Sequence, residues 1–175
     1  MAIALEVFLL GSVFAQSVGI TAREPQLRAA VILGIVRFTS WPPNHNPGKN
    51  RLVVCTIGEP VAEPALLLIS ETRKVAEYTI IVRNKDDNGE KIGDCNVVVL
   101  GSNLDRAAYT KILQRVASLP ILTICDNCFH DGYSTMVSLV RRDDRIGFQI
   151  DIAKAKSQGI VFSSSLLELA LEVRR

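Results

Sequence analysis

Arg145-Ile146-Gly147-Phe148-Gln149-Ile150-Asp151-Ile152-Ala153-Lys154-Ala155, continued through Gly159 to Ala170, is the stretch from which the fold is read. Ile146, Phe148 and Ile150 alternate with Gly147 and Gln149, the period of two expected of a strand with one buried face. Asp151 then stands where a helix needs a side-chain oxygen for its first N–H groups, ahead of a short helix over 152–156. Gly159 is placed to end that turn, since glycine enters the left-handed C-cap conformation without a Cβ clash. Ser163-Ser164-Ser165 offers caps for a second helix over 166–173. A strand end and two helix starts are thus specified locally, with nothing reactive among them.

Working outward, 136–140, the charged turn Arg141-Arg142-Asp143-Asp144 and 145–150 predict an antiparallel hairpin. Upstream, short apolar runs alternate with helical ones. Strands are predicted over 51–57, 79–82, 95–101 and 121–124, and helices over 60–70 and 104–118, the latter capped by Asn103 and ended by Pro120. An earlier helix is read over 26–38, with Pro25 as its starter and Pro42-Pro43 as its stop. In it Leu27, Ala30, Val31, Gly34 and Phe38 recur at spacings of three and four, a stripe that Trp41 extends past the helix end. Trp41, the only tryptophan, is expected to plug the core just past that helix. Strands alternating with helices imply parallel pairing with both sheet faces covered. The fold class is therefore a three-layer α/β sandwich with a mixed, mostly parallel, Rossmann-like sheet and a C-terminal antiparallel hairpin followed by short helices.

A chain of 175 residues is long enough for one domain with a full core. Hydrophobic residues at 48% and charged residues at 22% exclude extensive disorder. The net charge of +2, with Lys and Arg scattered, leaves no electrostatic footprint for nucleic acid. Residues 3–14 are apolar apart from Glu6, Gly11 and Ser12, and Val13-Phe14-Ala15 resembles a small-residue cleavage site. That run is too short to span a bilayer, which takes about 20 apolar residues. A secretory signal peptide is expected over 1–15, with its basic n-region upstream of Met1, then a flexible N-terminus over 16–25 and a single domain over 26–175. The competing reading is a buried N-terminal helix of a cytosolic protein. Four cysteines, Cys55, Cys95, Cys125 and Cys128, agree with export to the periplasm, since an even count in an oxidising compartment reads as disulfides.

Candidate chemistry is sparse. Neither dinucleotide-binding nor P-loop glycine patterns occur, and no Gly-x-Ser-x-Gly elbow is present. The two histidines, His45 and His130, sit in loops, and Asp126, Asp131 and Asp151 read more simply as turn and cap residues. An enzyme is disfavoured and no cofactor is implied. Cys125-Asp126-Asn127-Cys128 is the one motif with sharp chemistry. A thioredoxin-type pair should open a helix, whereas this one leaves a strand for a loop. With His130 it offers three zinc ligands where a structural site needs four, so no metal is assigned. A loop-closing disulfide is the first reading, with redox and metal roles as alternatives. Four cysteines allow three pairings and spacing selects none. If Cys55 and Cys95 are joined, as neighbouring strands would permit, the bridge is worth about 4 kcal/mol in the chain-entropy model.

Several of these segments resemble one family. Leu33-Gly34-Ile35-Val36-Arg37-Phe38-Thr39-Ser40-Trp41-Pro42 resembles the helix-to-Trp-Pro signature of YfiR-like proteins, as do Val54-Cys55 through Gly58 and Cys95 through Gly101. Closest are Phe148-Gln149-Ile150-Asp151-Ile152 with Ala155, Gly159 and Ile160, and then Ser163-Ser164-Ser165-Leu166-Leu167 with Leu169 and Ala170. The resemblance implies a periplasmic, non-enzymatic repressor. Such a protein binds the periplasmic sensory domain of an inner-membrane diguanylate cyclase and so governs cyclic-di-GMP and biofilm formation, with envelope redox state as an input. It also implies homodimers and disulfides, one of which fits Cys55–Cys95. Where relatives carry a second bridge into the following strand, this chain has Ser138 and, upstream, Cys125 and Cys128. Arg37, Trp41, Arg145, Phe148 and Asp151 are the candidates for contacting a partner or a small anionic ligand. Two further roles compete with the repressor: a periplasmic small-ligand sensor module for another membrane signalling protein, and a thiol oxidoreductase using Cys125 and Cys128.

Overall fold

The computed structural model describes residues 24–45, 50–86, 91–128 and 134–175; the leader expected over 1–15, most of 16–25, and His130 lie outside them. Among the described residues are five α-helices and two sheets. The helices are α1 (Glu24–Arg37), α2 (Glu63–Ile69), α3 (Arg106–Val116), α4 (Ile152–Ser157) and α5 (Ser164–Leu169). The strands are β1 (Thr39–Ser40), β2 (Arg51–Ile57), β3 (Lys74–Val75), β4 (Tyr78–Asn84), β5 (Val97–Leu100), β6 (Leu122–Asp126), β7 (Val137–Arg142), β8 (Arg145–Asp151), β9 (Val161–Phe162) and β10 (Glu172–Arg174). The main sheet runs β10-β8-β7-β6-β5-β2-β4-β3. Five of its neighbour pairs are parallel; the β7–β8 hairpin and the β3–β4 edge are antiparallel. This is the mixed, mostly parallel α/β sheet the sequence predicts.

Side-chain alternation divides the core in two. Leu52, Val54, Ile80, Val97, Val99, Leu122, Ile124, Val137, Phe148 and Ile150 face one side, where α1, α2, α4 and α5 cover them. Cys55, Ile57, Val98 and Leu100 face the other, under Tyr109, Ile112 and Val116 of α3. Helices on both faces make the three layers.

The opening stretch is built as read, with one correction. Asp151 caps α4 by accepting from the Lys154 N–H at 3.0 Å, and Gly159 takes φ +72°. Ser163 caps α5 through Leu166 N–H. The last helix, however, does not run over 166–173. It stops at Leu169, and β10 follows as a parallel edge strand on β8. Leu171 N–H donates to the Phe148 carbonyl at 2.8 Å, and its side chain lies over Gly147, where a Cβ would sit 2.5 Å from Leu171 Cδ1. Gly147 is thus the notch that receives the chain's return.

Local competition explains the smaller differences. Asp105, not Asn103, caps α3, its Oδ1 taking Ala108 N–H at 2.7 Å. Pro64 falls in the first turn of α2, where a missing N–H costs nothing, so that helix begins at Glu63 and not at Pro60.

In doubly wound sheets a ligand crevice opens where connections from adjacent strands depart to opposite faces. Here that place lies between the carboxyl ends of β2 and β5, followed by α2 and α3. Backbone fills it: Gly101 N–H donates to Ile57 O at 2.8 Å and Asn103 N–H to Gly58 O at 2.9 Å. A Cβ at Gly101 would sit 2.1 Å from Gly58 O, and Leu104 closes over Gly58.

Candidate interaction surface

Helix α1 begins with Glu24 and Pro25 in its first turn and ends as Thr39 Oγ1 donates to Ile35 O at 2.7 Å. Thr39 and Ser40 then pair with Phe162 and Val161, so α1 is held at its C-terminal end by backbone hydrogen bonds. Its buried residues are Arg28, Ala29, Ile32, Ile35 and Val36. Of the stripe Leu27, Ala30, Val31, Gly34 and Phe38, three residues point outward, Leu27 at 49% and Phe38 at 39% exposed with Ala30 between them, while Val31 and Gly34 are half-buried and Val31 packs against the core. A Cβ on Gly34 would meet nothing within 4 Å. Periodicity could not choose the phase, because α1 is apolar on both faces.

What chooses it is charge. Arg28 is 4% exposed and its Nη1 lies 2.6 Å from Oδ1 of Asp126, which is fully buried. Arg28 Nε also donates to Glu24 Oε1 at 2.8 Å, and Glu24 Oε2 takes Arg141 Nη1 at 2.8 Å. Asp126 Oδ2 accepts the Ala62 N–H at the start of α2, at 2.7 Å. Burial pushes the Asp126 carboxyl above its ordinary range, against the opposing pull of the Ala62 N–H and Arg28. One carboxylate at the end of β6 therefore seats both α1 and α2, and the chain of charges continues to the β7–β8 hairpin. An apolar residue at position 28 would leave the buried Asp126 carboxyl without its cation. The Arg28 side of α1 accordingly goes inward. Sequence reasoning passed over this pair; an arginine inside an apolar helix was the available signal, but its partner lies 98 residues away.

With that phase set, α1 stands as a ridge between two grooves. One, of about 240 Å³, runs along α2 and is lined by Ala29, Ala30, Leu33, Leu68, Ile69 and Arg73. The other, of about 450 Å³, runs along the hairpin and is lined by Leu27, Ala30, Val31, Asp144, Arg145 and Ile146. Leu68, 78% exposed, rises on the far wall of the first groove. Exposed Leu27, Phe38 and Leu68 beside two largely apolar grooves mark this side of the molecule as a candidate contact surface.

The five residues proposed for partner or ligand contact fall into two groups. Arg37 and Arg145 are exposed at the borders of the α1 face, Arg37 with its guanidinium 5.8 Å from the Phe38 ring centroid. Trp41, Phe148 and Asp151 are buried. Trp41, 7% exposed, packs in the core beyond α1. Phe148 lies in that same core, and Asp151 caps α4.

Cys55 and Cys95 are disulfide-bonded with Cα atoms 5.9 Å apart, inside the α3-side core. Cys125 and Cys128 are bonded across the β6 end with Cα atoms 5.6 Å apart. The second bridge flanks Asp126, and Asn127 between the two cysteines takes φ 65°. Among the described residues no three His, Cys, Asp or Glu side chains gather as a metal site, and no helix is long and apolar enough to cross a membrane. A family model described as YfiR/HmsC-like matches residues 25–171, from the first turn of α1 to the residue before β10. None of the curated proteins matches the chain.

Proposed function

Since the chain belongs to the YfiR/HmsC-like family, we propose that it is a periplasmic regulator that docks on the sensory domain of an inner-membrane diguanylate cyclase and represses it. Repression lowers cyclic-di-GMP and with it biofilm formation. The observation that carries this is the outward apolar face of α1, a surface suited to protein contact and seated by buried charge. The Cys55–Cys95 bridge suits an oxidising compartment. Envelope redox state enters through Cys125–Cys128, because that pair flanks the carboxylate on which α1 rests. A small-ligand sensor has weaker support, since backbone occupies the position where doubly wound sheets take ligands.

The test is genetic and biochemical together. Deleting the gene raises cellular cyclic-di-GMP, and the purified mature protein binds the isolated periplasmic domain of the cyclase. Unchanged cyclic-di-GMP with no binding would sink the proposal. A thermal-shift screen against nucleotides and amino acids that yields a strong stabiliser would favour the sensor instead.

A further inference from the structure

The border of the α1 face is as informative as its apolar centre. Arg73 lines the groove toward α2 and Arg145 the groove toward the hairpin, while Arg37 is exposed at the C-terminal end of the ridge. Among the described residues, the single carboxylate lining either groove is Asp144. Glu24, close by, has both oxygens engaged by Arg28 and Arg141. Three cations thus surround an apolar ridge whose midpoint is Ala30 and Gly34. Small residues four apart let a second helix cross close to the backbone, and the grooves on either side accept side chains that straddle the ridge. A flat lipid surface would use the exposed leucines but not two grooves of about 240 and 450 Å³.

We propose that α1 is the docking ridge for an amphipathic α-helix of the partner protein, one that carries Asp or Glu beside its apolar stripe to meet Arg37, Arg73 and Arg145. This rests on the regulatory function above and names the surface and the chemistry of its partner. Apolar side chains of the incoming helix fill the two grooves, and its carboxylates select orientation and partner.

The test uses the mature protein and fluorescent, stapled helical peptides with one leucine stripe, rimmed by glutamates in one and by lysines in the other. The glutamate peptide is expected to bind about tenfold more tightly at low salt, with the gap narrowing as salt is raised. Ala30→Arg abolishes binding while far-UV circular dichroism and the unfolding midpoint stay unchanged. The pair Arg73→Glu and Arg145→Glu reverses the preference toward the lysine peptide. Equal binding of both peptides, binding that survives Ala30→Arg, or no binding at all overturns the proposal. So does co-flotation with phosphatidylglycerol vesicles that Ala30→Arg removes, which would make a lipid surface the occupant. A dimer seen by light scattering and lost in Ala30→Arg would make it a second copy. Cells separate the two levels: repression that persists in Ala30→Arg discards the ridge and keeps the repressor. Peptide binding without any effect on cyclic-di-GMP does the reverse.

Discussion

Gly34 and Gly101 are one residue type under opposite constraints. Gly34 lies within α1 with open space where a Cβ would go, so it costs helix stability without a compensating contact. Gly34→Ala is expected to stabilise the fold by about 0.5–1 kcal/mol, read from the urea midpoint. Gly101 faces the Gly58 carbonyl at a distance no Cβ tolerates, and the obstacle is backbone, which cannot swing aside. Gly101→Ala is expected to cost about 3 kcal/mol or more in the same assay. Asp151 carries a pH signature. Burial pushes its carboxyl up, but the Lys154 ammonium and N–H, with Arg174 beyond, outweigh that and hold it below its ordinary 3.8. A depressed folded value means the stabilisation is complete above the unfolded value and drains away as pH falls through the folded one. Asp151→Asn keeps the cap and is therefore expected to flatten the acid limb of a stability profile taken from neutral pH to about pH 3. An unchanged acid limb would remove Asp151 from the account.

At the scale of the element, α1 has two apolar faces and only one can be inside. Arg28 decides which. Replacing it with methionine leaves Asp126 buried without its cation, and a loss of about 3–5 kcal/mol is expected in urea denaturation. Arg28→Met with Asp126→Asn together should recover part of that loss, since asparagine still accepts the Ala62 N–H without a buried charge. Strict additivity of the two variants would show that the pair does not act as a unit. The same seat explains why Leu27, Ala30 and Phe38 of α1, though correctly spaced for a core, end up at the surface. Spacing reports that residues share a face; it does not say which face the tertiary fold buries. α5 and β10 teach a related lesson. Leu166 to Val173 reads as helix by composition, yet the carbonyl of Phe148 is free at the edge of β8, and pairing there draws the chain out of the helix after Leu169.

For the whole molecule the two disulfides are unequal. Cys55–Cys95 closes 40 residues between β2 and the segment just ahead of β5, and Cys125–Cys128 closes 3. In the chain-entropy model the long bridge is worth about 4 kcal/mol and the short one about 2. Cys55→Ala with Cys95→Ala should therefore lower the urea midpoint about twice as far as Cys125→Ala with Cys128→Ala. Equal losses would mean that the short bridge supports more than its own loop. The order of the longer strands and helices, the parallel sheet, the hairpin and the caps at Asp151 and Ser163 were legible in the sequence, because alternation, turn residues and cap chemistry act over a few residues. The phase of α1, the closure of the β2–β5 crevice by Gly58 and Gly101, the edge strand β10 and the Arg28–Asp126 seat were not. Each depends on a group that becomes a neighbour only when distant segments pack, and the cost of burying a charge or a carbonyl without its partner is what selects one arrangement among those the local pattern allows.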